Sequence, residues 1–585
     1  MKFDGKTVVI TGSGTGIGQA IAKKFAEEGA NIIIMGRRKE PLEETKIMLE
    51  EIMKRVGSKG KVRAFPGVDV SDEDGIKSMF DTISNEFEQV DIVVNNAGVS
   101  GPVKTFPAQP FDEFKQCVAI HLTGTFRTSV HALRCMKEGA KIITIATYFT
   151  EERPYEQRPY RFRTPYTAAQ GAKNRLAEAL AWELTSRGIR SIATNPGPVH
   201  SDRIYKTVYP KAAAEFLRIG GFEGLTSKEI EKVTKDALPF LGDDEKVVDE
   251  AITKVANAII KERGEGDLDE IKSIVRACLN KMREIAEKIQ NNTSKMIVDG
   301  QFLTQEETAE IVLNLADDNI SRLINGRVIP ADRVFYPVKP LISCSIPNSP
   351  KDIANKLVII TIATNESRHL KLAKKLANTL QSKDAKCIVL FSKDNNSKVL
   401  EEFEGIHSHI IDLDEDSIKK IFTVASNNFG KPDAVIHITG NYDYDRELTS
   451  LNREEWDKLV DRYINTPALI CKEAINTMVP GALEEPSLYK GSNGTLIIIG
   501  PDAPKGKKIP GLVRARAEIF RGALRPFTAT VNQELKEVLN SNIRLYTLFP
   551  GSLDGKEPND DKLIDACLRL INTVNTEVIY YPDEA

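Results

Sequence analysis

The sequence predicts an α/β protein built of two tandem doubly wound parallel-sheet domains, the first carrying a large helical insertion. Three observations support this. Short β-branched runs alternate with helical patterns, as where residues 6–10 lead to GQAIAKKFAEEG ending at Gly29, the pattern of strands buried between crossover helices. A glycine turn, TGSGTGIG over 11–18, joins that strand to that helix. The second half then repeats the first at an offset of about 340 to 355 residues, the mark of a tandem duplication.

At 585 residues the chain exceeds one core. The expected division is 1–336 for the first domain, with its insertion at about 201–305, then 337–355 as a proline-rich linker and 356–585 for the second domain. Composition is ordinary for a globular protein, with 41% apolar and 28% charged residues. A net charge of -3 gives no reason to expect nucleic acid or a membrane surface as partner. Seven cysteines stand singly, without CxxC or Cys/His clustering, which argues for reduced thiols, a cytoplasmic location and no metal site. The first apolar stretch is only a strand long and runs into the glycine turn, so no signal peptide is expected.

Taken in order, strand, glycine turn and helix put backbone N–H groups and the positive end of a helix against a pyrophosphate. Gly12, Gly16 and Gly18 let the backbone come close, with Ser13 and Ile17 in the same turn. The second strand, NIIIMGRR, ends without the acid that would bind two ribose hydroxyls. Arg37 and Arg38 follow instead, then Lys39. They suit a 2′-phosphate, so NADP(H) is the expected cofactor; the alternative is solvated charge at a helix start. Asp69 follows the third strand, and DIVVNNAG at 91–98 supplies Asn95, Ala97 and Gly98. His121 falls in the next helix, open to two readings, as a proton relay or as a structural residue.

The stretch 141–173, KIITIATYFTEERPYEQRPYRFRTPYTAAQGAK, holds a buried strand, a hydroxyl residue, an arginine-rich loop and a tyrosine entering a helix. A carbonyl receiving a hydride needs a proton donor, a second hydroxyl to hold the oxygen and a nearby cation. Thr147, Tyr166 and Lys173 are the candidates, Lys173 lying two helical turns beyond the tyrosine on the same face. Arg153, Arg158, Arg161 and Arg163 border the stretch. They suit a carboxylate or the phosphates of a thioester carrier, or are simply solvated. Residues 195–198, Asn-Pro-Gly-Pro, make a rigid turn containing Pro196 and Gly197. From 201 to 305 the sequence reads as amphipathic helices, SKEIEKVTKDAL, EKVVDEAITKVANAIIKERG and DLDEIKSIVRACLNKMREIAEKI.

The Gly-x3-Gly-x-Gly turn, the Asn-Asn-Ala-Gly strand end and Tyr166 together resemble the short-chain dehydrogenase/reductase family, of Rossmann-type fold. The resemblance implies that Asp69 lies beside the adenine, that Asn-Asn-Ala-Gly supports the sheet beside the cofactor and that the 195–198 turn faces the nicotinamide. It also implies a lysine four residues after the tyrosine, where this chain has Gln170, and an asparagine where it has His121. Tyr-x6-Lys is the spacing of the enoyl-thioester reductases, a divergent branch in which a second tyrosine precedes the pair, here Tyr148. An active copy followed by a degenerate one resembles the N-terminal half of the bacterial malonyl-CoA reductases. The local match PGPVHSDRI at 196–204 would bring Arg203 to a substrate carboxylate.

The second copy lacks the chemistry. Ala363 to Ser367 stand where the glycines should be, Pro501 answers Thr147, and VRARAEIFRGALRPF holds no tyrosine. It is expected to be a non-catalytic internal pseudo-subunit, with a homodimer of the whole chain left open. The leading expectation is an NADPH-dependent reductase of a small anionic carbonyl compound, with malonate semialdehyde to 3-hydroxypropionate as the best single reaction. The alternatives are an enoyl-thioester reductase, and a non-catalytic NADP(H)-binding or assembly protein.

Overall fold

The inner strands of the first copy are largely β-branched runs buried on both faces, which only a sheet covered by helices on each side can accommodate. The computed structural model describes residues 1–150, 161–199, 201, 204–333, 342–347, 353–395, 397–442, 446–502, 510–551 and 557–584. Seven parallel strands form its first sheet: β1 (Thr7–Thr11), β2 (Asn31–Gly36), β3 (Val62–Pro66), β4 (Ile92–Asn95), β5 (Lys141–Ile145), β6 (Arg190–Pro196) and β7 (Val328–Ala331). Their order is β3-β2-β1-β4-β5-β6-β7, so the winding reverses between β1 and β4. A crevice opens at such a switch point, beyond the carboxyl ends of the strands.

Side chains alternate across this sheet. Val8, Ile10 and Ile34 join Ile21, Phe25 and Val312 in one core, beneath the helices Gly16–Glu27 and Gln305–Leu315, which pack on each other. Val9, Ile33 and Val93 point the other way into a core that continues through the second copy. That copy has eight parallel strands: β8 (Ile342–Ser343), β9 (Leu357–Ile362), β10 (Lys386–Ser392), β11 (His407–Ile411), β12 (Ala434–Ile438), β13 (Thr495–Ile499), β14 (Arg544–Leu548) and β15 (Ile579–Tyr580). They run β11-β10-β9-β12-β13-β14-β15-β8. The first seven repeat the order of the first sheet, and β8 is added beyond them. The segment 337–355, expected to be only a linker, differs: its residues Ile342 and Ser343 pair with β15 as an edge strand.

The two copies meet along the helix that carries Tyr166, Thr164–Leu184, and its counterpart Pro510–Gln533. The helices run antiparallel, since Thr167 Oγ1 lies 3.0 Å from Thr530 Oγ1 while Glu183 pairs with Arg516 at 2.6 Å. At the crossing a Cβ on Gly171 would fall 2.2 Å from the Gly522 carbonyl oxygen. Glycine is what permits this approach. Nearby, Trp456 stacks on Phe126 at 3.8 Å and donates to Thr123 Oγ1.

The insertion folds on itself. Helices Tyr209–Gly220, Ser227–Asp236, Glu245–Arg263 and Leu268–Ser294 enclose their own apolar core, which includes Ile230, Ile252, Val275 and Met282. Its ends are pinned where the Leu303 N–H donates to the Pro198 carbonyl at 3.0 Å, and a capping box of Thr304 and Glu307 restarts the fold.

Candidate functional site

A cleft of about 900 Å³ lies at the switch point, within the usual range for cofactor sites. Gly12, Gly16 and Ile17 form one wall. Gly12 and Gly16 adopt φ of 65° and 64°, a left-handed conformation favouring glycine. A Cβ on Gly12 would stand 2.9 Å from the Ala97 Cα, and one on Gly18 2.4 Å from the Gly12 carbonyl oxygen. Gly18 itself does not line the cleft; its role is to let the helix close on the turn.

Arg37, Arg38 and Asp69 line the end of the cleft beyond β2 and β3. Arg37 Nη1 lies 3.6 Å from Asp69 Oδ2, so two candidates drawn from separate motifs form one pair. Arg38 Nη2 reaches Thr15 Oγ1 at 3.4 Å. Both guanidinium groups remain largely open to solvent, as a bound phosphate would require.

Ala97, Gly98, His121 and Tyr166 line the opposite end. His121 lies in a π-helical turn, Ala119–Thr123, inside a longer helix; such turns widen the helix and often occur at functional sites. The second copy has the same turn at Asp461–Asn465, with Tyr463 in the histidine's place, so the turn belongs to the fold rather than to His121. A Cβ on Gly98 would meet His121 Cε1 at 2.4 Å. The ring stands edge-on to Tyr166 at 5.1 Å between centroids. Its Nε2 lies 2.8 Å from the Val99 carbonyl oxygen, and its Nδ1 lies 3.3 Å from Gln170 Nε2. The Val99 N–H also donates to Nε2, at 3.1 Å, so Val99 meets that nitrogen with both a donor and an acceptor and serves either tautomer.

Gln170 lines the cleft one turn after the tyrosine. Its Oε1 is buried and makes no hydrogen bond with the described residues, leaving an acceptor available to a hydroxyl of a bound molecule. Arg163 is buried rather than solvated. Its Nε donates to the Ser100 carbonyl at 2.9 Å, and its guanidinium lies 3.7 Å from the Tyr166 ring centroid. A cation so close to an aromatic face is attracted to it, so a positive charge stands over Tyr166 from the residue just before its helix.

Lys173 is placed deeper than expected. It is 1% exposed, does not line the cleft, and donates from Nζ to the Ile145 carbonyl at 2.6 Å. Burial pushes its ammonium down to about 7. One turn beyond Gln170 the helix has passed over the end of β5, which accounts for the difference. Other candidates also lie outside the lining. Ser13 Oγ accepts from the Met35 N–H and donates to the Ile10 carbonyl, tying β1 to β2. Asn95 Nδ2 donates to Ser129 Oγ. Thr147 is buried just past the cleft-lining Ala146. Pro196 and Gly197 pair with Ala331 of β7. Tyr148 packs with Ile297 and Phe302 near the insertion's end. Arg161 pairs with Glu537. Arg203, Arg153 and Arg158 lie outside the described residues.

Among the lining residues that the sequence reading did not single out are Asn96, Ser201 and Gln305. Asn96 Nδ2 donates to the Thr11 and Gly12 carbonyls, bracing the glycine turn; it stands inside the Asn-Asn-Ala-Gly motif, where its signal was available. Ser201 and Gln305 come from the two ends of the insertion, and no local pattern joins residues so far apart. In the second copy, Glu366 occupies the position of the glycine turn and lies 3.0 Å from Arg462 and 2.9 Å from His369. His369 lies 3.4 Å from Asp502, which also pairs with Arg368. His369 and Arg462 hold the Glu366 carboxyl down at about 2 despite its burial. A fixed negative charge there opposes a phosphate. No potential metal cluster and no helix long and apolar enough to cross a membrane occur among the described residues.

Residues 6–209 match the family model described as short chain dehydrogenase, and 371–484 match one described as Enoyl-(Acyl carrier protein) reductase. An uncharacterized oxidoreductase, YxbG of Bacillus subtilis (strain 168), is 35% identical over 206 residues, which are 35% of this chain and 71% of that protein. The chain belongs to the short-chain dehydrogenase family. Two solved structures extend the likeness in fold over both copies of this short-chain dehydrogenase. The C-domain of a bacterial malonyl-CoA reductase, solved with NADP, has a TM-score of 0.70 at 18% identity, over 97% of this chain and 94% of that one. The N-domain, also solved with NADP, has a TM-score of 0.71 at 15% identity, over 99% and 97%.

Proposed function

We propose that the protein is an NADPH-dependent reductase of a small anionic carbonyl compound, with malonate semialdehyde to 3-hydroxypropionate as the best single reaction. The observation that carries this reading is Tyr166 at the cleft wall with the Arg163 guanidinium 3.7 Å from its ring. The close glycine turn, the exposed Arg37 and Arg38 and the unsatisfied Gln170 Oε1 fit a phosphorylated dinucleotide. The NADP present in the two malonyl-CoA reductase domains agrees with that choice.

Bound there, the nicotinamide supplies the hydride. The backbone N–H groups of the glycine turn would hold the pyrophosphate, Arg37 and Arg38 would hold the 2′-phosphate, and Gln170 Oε1 would accept from a ribose hydroxyl. Tyr166 gives its phenolic proton to the carbonyl oxygen, and Arg163 stabilises the negative charge that develops on the phenol as the proton leaves. His121 and Gln170, in contact with each other, offer a route for reprotonation. Thr147 remains the proposed second hydroxyl, and Arg203 the proposed contact to a substrate carboxylate. Lys173, buried beneath Ile145, acts in this reading by supporting the end of β5.

The enoyl-thioester reading draws on the family model matched at 371–484. That segment belongs to the copy whose turn holds Glu366, and Tyr148 is buried beside Ile297, so carbonyl reduction is preferred. The deciding experiment follows NADPH absorbance with malonate semialdehyde and, separately, a crotonyl thioester, after NADPH binding has been verified by fluorescence. Turnover of the semialdehyde alone supports the proposal; turnover of the thioester alone replaces it; binding without either favours a non-catalytic protein.

A further inference from the structure

Phe162 has φ of 65°, a left-handed conformation that is a genuine outlier for a bulky residue. Such a conformation persists only where its surroundings over-determine it. Here three parts of the molecule do so. The Phe162 N–H donates to Glu534 Oε1 of the second copy at 2.7 Å. Its carbonyl accepts from the Lys104 N–H at 3.1 Å, and its ring packs edge-on against Phe216 of the insertion at 4.9 Å. The turn reverses the chain. Arg161 is directed outward to Glu537, while Arg163 is directed inward to the Ser100 carbonyl and the Tyr166 ring.

Glu534 is fully buried, and its Oε2 accepts from the Phe106 N–H at 2.7 Å. Its counterpart in the first copy is Glu183, since each lies twelve residues beyond the crossing glycine, Gly522 or Gly171. Glu183 accepts from the Leu448 N–H in the same manner but is neutralised by buried Arg516. At the position equivalent to Arg516 the first copy has Pro165, and the second oxygen of Glu534 goes instead to Phe162. The pseudo-symmetry is broken at the Glu534 carboxyl, which holds the backbone of Phe162 rather than an arginine.

We infer that Glu534, contributed by the degenerate second copy, is a positioning residue for the first copy's site: by holding the left-handed turn at Phe162 it fixes Arg163 against Tyr166. The inference rests on the reading of Tyr166 as proton donor. It makes the second copy part of the working site rather than packing alone.

Four variants of the full chain test it: Glu534→Gln, Glu183→Gln as the pseudo-symmetric control, Phe162→Gly, and Glu534→Gln in that Phe162→Gly background. Glutamine keeps the shape of Glu534 but turns one acceptor into a donor facing an N–H. The expected result is a kcat roughly 10-fold lower for Glu534→Gln, with the KM for NADPH unchanged and Arg163 newly open to labelling by phenylglyoxal. Glycine adopts the turn without strain, so in the Phe162→Gly background Glu534→Gln should lower kcat by much less. Glu183→Gln should lower the melting temperature and leave kcat and Arg163 labelling as in the parent. The inference is overturned if Glu534→Gln behaves as Glu183→Gln does, or if its effect on kcat is undiminished in the Phe162→Gly background. If the parent protein turns over no carbonyl compound, the proposed reaction fails, and Arg163 labelling still decides whether Glu534 holds the loop.

Discussion

Around Tyr166 the structure collects an edge-on histidine, an amide and a stacked guanidinium, with the lysine withdrawn beneath β5. Replacing Tyr166 by Phe removes only the donated proton, so turnover should fall by roughly 10² to 10⁴ while NADPH fluorescence titration remains as in the parent. Lys173 gives a prediction of another kind. Its folded value of about 7 lies below the ordinary 10.5, so the unfolded chain binds a proton that the folded chain does not. Stability without ligands should therefore rise with pH between about 7 and 10.5. Glu534, pushed by burial up to about 8 from 4.5, acts oppositely between those values. Urea midpoints of the parent and of Lys173→Met isolate the lysine: the difference between them should change along that upper range, and a parallel pair of curves would refute the assignment. Gly12, Gly16 and Gly98 were legible because their motif is local. Phe162 was not, since nothing in a sequence marks an aromatic residue held at positive φ by groups hundreds of residues away.

At the scale of elements, the crossing of the two long helices sets the spacing between copies. A methyl on Gly171 would lie 2.2 Å from a backbone oxygen that cannot swing aside, so Gly171→Ala should destabilise the chain by about 1–3 kcal/mol, read as a lower urea midpoint. An unchanged midpoint would mean that the helices separate freely. Three of the insertion's helices were legible from their apolar period. The fourth, Tyr209–Gly220, was not; it buries the charged Glu215 and Arg218 together with Ala213, Ala214 and Leu217, so burial there does not follow the division between apolar and polar residues. Strand β8 escaped for a related reason: two residues among prolines carry no period, and only the exposed edge of β15 gives them a partner.

For the molecule as a whole, the core that runs through both copies makes the first one incomplete alone. Residues 1–336 expressed separately should expose Phe106, Phe114 and Phe126, which pack on Phe527 and Trp456 of the second copy, and leave Glu183 without Arg516. Light scattering should find that fragment associated or aggregated; a stable monomer would contradict the shared core. The duplication itself was legible, because strand patterns repeat at nearly constant offset. Which residues cross between copies was not, as pairs such as Glu183 with Arg516 follow only from the antiparallel crossing.

The crossing glycines have a consequence for how the protein behaves on dilution. In an ordinary two-subunit assembly the same surface must fit itself, so any change is made twice, and the partners separate as concentration falls. Here Gly171 and Gly522 retain the self-matching geometry while belonging to one polypeptide. Glu183 and Glu534 have therefore been free to diverge, one acquiring an arginine and the other an aromatic turn. Specific activity should stay flat down to the lowest measurable enzyme concentration, since the supporting half is tethered and cannot leave.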